Sequence, residues 1–458
     1  MTDRAVAIAR SVPALAAVIA AGAIVLGLAS AFVPDIALGV TLSPVVVGLL
    51  VYWVYRHVAR HRDAGFLVNY FSLGVALRVL AVGAQLVIGF YFYRGEVDFV
   101  GYWHYAQELF QKMVLEGQVH LLFDDQYIKD QFYARSALIV SGMVLLMMVL
   151  VGPNIIALFL LGVPVSAASA YIFYRAFEHM APDEASRRRF AGFMWFFPSL
   201  AFWSVFLGKD VWIFFFMATT TFALARFLRA ARMSTFLLLA VSLSVVTVLR
   251  PHVGATVLTA VVAALVFRPL PMYGPLLYVR PVVRIALMAV LVSAFMVVAE
   301  MALQTVGVTA LTLQALADRA YLAHVGFAGT AGGSALGRVI DESTPAAVAM
   351  FIPLGVITLL FRPFLFEAHN VVALVAGIEN LVFLGIFLVR LPSIWRAIRM
   401  VRREPLALYA LVAFVFTSIA LSFDWNLGAA QRHRTMVLPF LFMLLALPGR
   451  APREPGLR

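Results

Sequence analysis

NIIALFLLGVPVSAASAYIFY, residues 154–174, decides the fold. The run holds no charged residue, and its apolar side chains follow one another continuously instead of alternating. A membrane-spanning helix needs about 20 predominantly apolar residues, whereas a strand of an outer-membrane barrel alternates over about ten. Comparable runs lie near 12–33, 36–55, 67–92, 136–152, 192–207, 211–228, 234–249, 253–267, 283–303, 346–361, 371–389, 405–422 and 435–448. The chain therefore reads as all-α, a polytopic transmembrane helical bundle of about 12–14 helices.

Composition agrees. Of 458 residues, 63% are apolar and only 13% are charged, where a soluble domain carries about 25% charge. Mean hydropathy is +0.95. Low charge with high hydrophobicity is also the reverse of a disordered composition. The net charge of +12 does not point to nucleic acid, which calls for a basic patch on a solvated domain. Here the arginines stand in short clusters between apolar runs, as the positive-inside rule has them. Cysteine is absent, so no disulfide, thiolate nucleophile or thiolate-bound metal is available.

Arg4 and Arg10 ahead of an apolar run ending at Ala29-Ser30-Ala31 imitate a signal peptide. The run is long for one, and a second follows at once, so an uncleaved first helix is expected. Arginine clusters at 56–62, 187–189, 226–232 and 396–403, and the basic tail 451–458, mark the cytoplasmic side, with both termini there. Two N-terminal helices (1–65) then precede a larger module (66–450). Loops 93–135 and 304–345, Lys209-Asp210, Arg250-Pro251-His252 and 423–434 come out on the opposite face. Around 136–174 and 346–404 the charges demand an odd number of crossings where two helices are read. Either one helix of each pair is re-entrant or a basic loop lies outside.

Both large loops exceed the usual length of structureless connections. Loop 93–135, with Phe99, Tyr102, Trp103, Tyr105, Leu109 and Phe110, suits an interfacial helix. Loop 304–345, with Gly332-Gly333-Ser334, suits a mobile flap.

Ionisable residues at or within the membrane are costly and default to functional candidates. Asp98, with Glu96, Tyr102 and His104 in support, stands directly after the third helix, where a carboxylate suits general-base work. An ordinary interfacial loop is the bland alternative. Lys209, one of 3 lysines among 35 basic side chains, is a compact charge able to hold a phosphate. Asp210 beside it points elsewhere on a helix, and a solvated hairpin turn accounts for both equally well. Arg250 and His252 can clamp a phosphate or merely snorkel from a proline turn. Arg432 and Arg434, outside against the charge bias, suit an anion. His433 has no close carboxylate, Pro439 predicts a kink in the last helix, and no metal-ligand spacing is convincing, although Glu96 and Asp98 could share an ion with remote groups.

Together these motifs resemble a known class. Asp98-x-x-x-Tyr102 follows an early helix, then come Pro198-Ser199-x-x-Phe202-Trp203-Ser204, Gly208-Lys209-Asp210 and Leu249-Arg250-Pro251-His252. Phe361-Arg362-Pro363, Ile378-Glu379-Asn380 and Arg432-His433-Arg434 with Leu438-Pro439-Phe440 close the series. The order is similar to that in membrane proteins of bacterial polysaccharide clusters, the GT-C glycosyltransferases and Wzy-type polymerases, over residues 90–445. The resemblance implies a GT-C-like fold in the inner membrane and a polyprenyl-phosphate- or pyrophosphate-linked sugar donor. It implies a glycan acceptor deprotonated by Asp98, and lipid phosphate held by Lys209, Arg250, Arg432 and Arg434. Other polysaccharide-assembly proteins become expected partners. No second acidic motif of the metal-dependent kind is present, so no cofactor is expected. A flippase of lipid-linked glycans and a non-catalytic envelope subunit are the alternatives. Transporters favour internal repeats and midplane polar groups, which the sequence does not display.

Overall fold

The computed structural model describes residues 37–118, 120, 135–181, 183–267, 282, 312–328, 336, 340 and 342–448. The expected helices at 12–33 and 283–303, the motif Gly332-Gly333-Ser334 and the basic tail lie outside the described residues. Among those described, helices are the regular structure and no β-strand occurs. They are α1 Ala37–Ala59, α2 Ala64–Val87 with a π-helical extension Ile88–Phe92, α3 Asp98–Leu109, α4 Arg135–Val151, α5 Ile155–Phe177, α6 Glu184–Phe196 and α7 Pro198–Trp203. Next come α8 Lys209–Arg229, α9 Met233–Leu249, α10 Pro251–Val266, α11 Leu313–Ala328, α12 Pro345–Phe361 and α13 Val371–Val389. The chain continues with α14 Leu391–Met400, α15 Pro405–Leu421, α16 Leu427–His433 and α17 Leu438–Ala446.

Four helices are long and apolar enough to cross a membrane: α2 with its extension, α5, α8 and α13. Six shorter apolar helices accompany them. On α13 only Gly377, Asn380 and Phe383 are buried, while Val371, Leu374, Val375, Ile378, Leu381 and Val382 are exposed. A wide apolar face left open in this way suits lipid.

Several expected elements differ. The single run at 192–207 is broken at Pro198, which lacks an N–H and holds the preceding Phe197 extended, so α6 stops and α7 starts anew. The run at 435–448 is likewise composite: α16 leads through a 3-10 turn, Arg434–Met436, into α17. Pro439 lies in the first turn of α17, where a missing N–H costs nothing, so it starts a helix and does not kink one. The basic stretch at 391–400 is a helix, α14, with Ser393 and Ala397 buried and Leu391, Trp395 and Ile398 exposed. Within the described parts of the two large loops, α11 lies in 304–345 and α3 in 93–135.

The chain divides into two compact units. Unit 1 comprises the described residues of Met1–Tyr174 and Ala191–Thr219, and unit 2 those of Arg175–Phe190 and Thr220–Arg458. In unit 1 the proline break strands carbonyls at the end of α6. Arg78 of α2, fully buried, meets them: Nη2 donates to Met194 O at 3.1 Å and Nη1 to Trp195 O at 3.3 Å. Its Nε donates to Ser166 Oγ at 2.7 Å, and the guanidinium lies 5.2 Å from the Trp195 ring. A helix interrupted inside a core is thereby satisfied by one side chain.

In unit 2, α17 is buried on every side, as a helix apolar all round must be. Its last carbonyls are capped by arginines, Arg189 Nε on Ala446 O at 3.1 Å and Arg390 Nε on Leu445 O at 2.9 Å. Cations at a helix C-terminus also oppose its dipole. Helix α10 packs along α15, with Thr256 and Thr417 hydroxyls 2.8 Å apart. Gly355 of α12 allows a close approach: a Cβ there would stand 2.5 Å from Ser422 O. Gly355→Ala is therefore expected to cost about 1–3 kcal/mol and to displace the segment after α15, measured as a lower unfolding midpoint of the detergent-purified protein.

Candidate functional site

The expected site residues fall in both units. In unit 1 the chain leaves α2 through a tight turn in which Gly95 takes φ +83, a conformation glycine adopts without strain. Val97 is extended and α3 begins at Asp98. The buried face of α3 is Phe99, Tyr102, Ala106 and Leu109, spacings that share one side of a helix. Phe99 stands edge-on to Phe159 at 5.0 Å and Phe206 at 5.8 Å. Trp103 Nε1 donates to Pro153 O at 2.8 Å.

This packing fixes where the chemistry-bearing groups go. Tyr102 lies against Gly208, where a Cβ would come within 3.4 Å of its ring. Gly208 immediately precedes Lys209-Asp210, the first turn of α8. Asp98, one turn before Tyr102, is exposed at the start of α3 with Glu96, and His104 is exposed as well. Lys209 is half-buried and Asp210 is buried, so the two do point apart. The structure thus brings Asp98, Tyr102 and Lys209 into one neighbourhood.

In unit 2 the α9–α10 turn carries Arg250, which is buried, and His252, which is exposed. Arg250 Nη1 approaches Met436 Sδ at 3.6 Å. The segment between α15 and α16 carries Asp424 and Trp425. Asn426 then caps α16, its Oδ1 accepting from Gly428 N at 2.9 Å. His433, at the end of α16, bonds through Nδ1 to Asp424 Oδ2, with both side chains about nine-tenths buried. The expectation that His433 lacks a close carboxylate is overturned. Nine residues of sequence separate the partners, and the short helix α16 folds them together.

Arg434 was expected to hold lipid phosphate. It is enclosed, pairing with Glu379 and Asn380 and donating to Leu360 O at 3.0 Å. Asn380 Nδ2 in turn donates to Pro363 O at 3.0 Å, and Gln431 Nε2 to Arg362 O at 2.6 Å. The network satisfies the carbonyls that α12 leaves open at its end, so the charge of Arg434 is engaged inside the protein. Arg432, next to His433 in sequence, is half-buried. Among the described residues no group of three or more potential metal ligands gathers.

Helix α11 covers this region of unit 2. His324 lies 5.5 Å from the Trp425 ring and Phe327 6.1 Å from His433. Arg362, paired with Glu367, stands 5.8 Å from the Trp425 ring. Burial works against the Glu367 charge, but the Arg362 guanidinium and the Phe364 N–H hold its carboxyl below the usual range. For Asp424 burial prevails: its carboxyl is pushed up to about 6 against the pull of His252 and Arg250.

A raised carboxyl has a defined consequence. Stability gained from the neutral form is complete below about pH 4 and is lost as pH rises through about 6. Asp424→Asn is therefore expected to unfold at a higher temperature than the parent at pH 7.5, with the gap closing toward pH 4.5. A gap independent of pH would show that burial does not govern this carboxyl.

No family model matches the chain, and no curated protein or solved structure does either.

Proposed function

We propose that this protein is a glycosyltransferase or polysaccharide polymerase of the bacterial inner membrane. Its donor is a sugar or oligosaccharide linked to polyprenyl phosphate or pyrophosphate, used at the periplasmic face for surface polysaccharide or exopolysaccharide. The bundle has about 12–14 spans in a GT-C-like arrangement, with both termini cytoplasmic. One observation carries the reading: Tyr102 packs on Gly208, drawing the Asp98 end of α3 to the Lys209 start of α8. A carboxylate and a lysine then stand at the first turns of two helices joined by that contact.

In this mechanism Asp98 takes the proton of an acceptor hydroxyl. The acceptor oxygen bonds to the anomeric carbon as the bond from that carbon to the phosphate oxygen breaks. Its electron pair leaves on the phosphate, where Lys209 stabilises the developing charge. No metal is required by the side chains named.

A second reading is a transporter of lipid-linked glycans. The enclosed Arg434–Glu379 pair favours it, because buried charges mark conduction pathways in membrane bundles. Reconstituted vesicles separate the two. Purified protein with a polyprenyl-pyrophosphate-linked oligosaccharide and a glycan acceptor is expected to yield lengthened glycan and free lipid carrier. Movement of the lipid-linked substrate across the bilayer without transfer would establish the transporter. Neither outcome would leave a non-catalytic subunit.

The native chain lacks cysteine, so Asp98→Cys tests the membrane side directly. A membrane-impermeant maleimide is expected to label it in intact spheroplasts. Labelling only after lysis would remove Asp98 from the periplasmic face.

A further inference from the structure

Helix α14 has no part in the glycosyl-transfer reading. It follows α13, a helix long and apolar enough to cross a membrane, with Arg390 alone between them, and it precedes the apolar α15. Its ten residues rise about 15 Å, half the hydrocarbon thickness of a bilayer, so α14 itself cannot cross. Connectivity leaves it at the membrane surface. Arg390 anchors its start, Nε donating to Leu445 O at 2.9 Å at the end of α17. The helix packs on α15 and α17, with Ser393 and Ala397 buried. Leu391, Trp395 and Ile398 form an exposed stripe on the other side, being four and three residues apart. Arg399 is exposed, its guanidinium 5.3 Å from the Trp395 ring, and Arg402 and Arg403 are exposed in the turn that follows. Arginines distant in sequence gather at the same end of unit 2. Arg189 joins Arg390 on the last carbonyls of α17. Arg229, the last residue of α8, donates from Nη2 to His179 O at 3.0 Å and acts electrostatically on Glu404, which caps α15. Two acids of that end are engaged, Glu404 by the Leu406 N–H at 3.3 Å and Glu178 by Arg175 at 3.2 Å. The apolar stripe therefore lies beside a concentration of positive charge.

We propose that α14 lies in the membrane–water interface as a docking surface for anionic phospholipid, with Leu391, Trp395 and Ile398 among the acyl chains and Arg399, Arg402 and Arg403 on the headgroups. A helix with leucine and tryptophan on one face and arginine beside them takes that position, in the plane of the interface. Tryptophan rings favour the headgroup level, and arginine stems follow apolar surface while their charged ends reach outward. Charge selects anionic over zwitterionic lipid. A protein partner fits less well. A stable interface takes about 800 Å² from each side, and three side chains on so short a helix cover only part of that. Because Arg390 ties α14 to the end of α17, lipid held there also steadies the buried centre of unit 2. The inference rests on the membrane reading and not on the transfer reaction.

The test uses the full chain in phosphatidylcholine nanodiscs, with a fluorescent NBD group on Ile398→Cys, the single cysteine of an otherwise Cys-free sequence. Phosphatidylglycerol or phosphatidylcholine carrying a nitroxide high on the acyl chain is added at equal mole fraction. Both are expected to quench the label, with phosphatidylglycerol favoured at least about five-fold, the share of one arginine near an anionic surface. Raising the salt to about 0.5 M is expected to bring the ratio toward one. The triple variant Arg399→Gln, Arg402→Gln, Arg403→Gln is expected to do the same at low salt. Equal quenching by the two lipids would overturn the proposal, as would a preference that survives the triple variant. A label quenched by aqueous iodide and not by lipid would put α14 in water, and one shielded from both would mean that protein covers it. Either result rejects the lipid surface. If Ile398→Cys fails to fold, Trp395→Cys on the same exposed stripe takes its place. The assay contains no glycan, so failure here leaves the proposed transfer reaction untouched, and failure of that reaction leaves this surface standing.

Discussion

Asp98→Asn is expected to lower glycan transfer by about 10²–10⁴-fold, the usual contribution of a positioned general base, while the protein accumulates normally. The second half of that expectation comes from the structure. Asp98 is exposed at the first turn of α3, and it is Phe99, Tyr102, Ala106 and Leu109 that anchor the helix. Asparagine keeps the size and one acceptor oxygen but cannot take a proton. The loss of a negative charge at a helix N-terminus costs about 0.3–1 kcal/mol, too little to unfold a bundle of this size. A deletion strain carrying the variant should make the protein, lack polymer and accumulate lipid-linked intermediates. Lys209→Met, in the same assay, should act mainly on donor binding and the leaving group. If Asp98→Asn retains full activity, the carboxylate is not the base. The chemistry would then shift to arginine-assisted transfer, as in Wzy-type polymerases.

How far the sequence alone reaches depends on the kind of information. Continuous apolar runs predict most helices within a few residues, because burial of a backbone in lipid leaves only the helix. What hydropathy does not register is an interruption that stays apolar. The break at Pro198 and the turn Arg434–Met436 are flanked by residues as hydrophobic as the helices, and the proline rules rather than hydropathy mark the first of them. In the amphipathic α14 the charges of Arg396 and Arg399 mark a membrane side and outweigh the helical spacing of Leu391, Trp395 and Ile398, so hydropathy does not register the helix. At the candidate sites, Asp98 and Lys209 were legible as charges beside apolar runs, and their joining through Tyr102 and Gly208 was not. Arg78, inside an apolar run, carries the signal of an intramembrane charge, but the carbonyls it caps appear only once the break at Pro198 is known. The Asp424–His433 pair had no signal, since its spacing becomes meaningful only once α16 is known to fold back.

Glu379→Gln is expected to destabilise the protein by about 3–5 kcal/mol, and more than any substitution at an exposed position. Arg434 is fully buried and its guanidinium is paired with Glu379. Removing the carboxylate strands a cation in a site that excludes water, the costly half of breaking a buried pair. Asn380 and the Leu360 carbonyl still accept from Arg434, but neutral acceptors do not replace a countercharge. Arg434→Met is expected to be comparably harmful, since it leaves Glu379 as the unmatched charge. The discriminating variant is the double replacement Glu379→Gln with Arg434→Met. If the pair is held for charge balance, the double variant regains most of the loss, because removing both charges also removes their desolvation cost. If the cost lies in the hydrogen bonds that close the end of α12, the double variant remains as unstable as either single one. Unfolding midpoints in detergent for the three variants, read as a double-mutant cycle, decide between these. Recovery would mark an ion pair that stability alone does not explain, and would strengthen the transporter reading that the same pair favours. No recovery would assign Arg434 to the architecture, as the cap that fastens the end of α12 to the middle of α13.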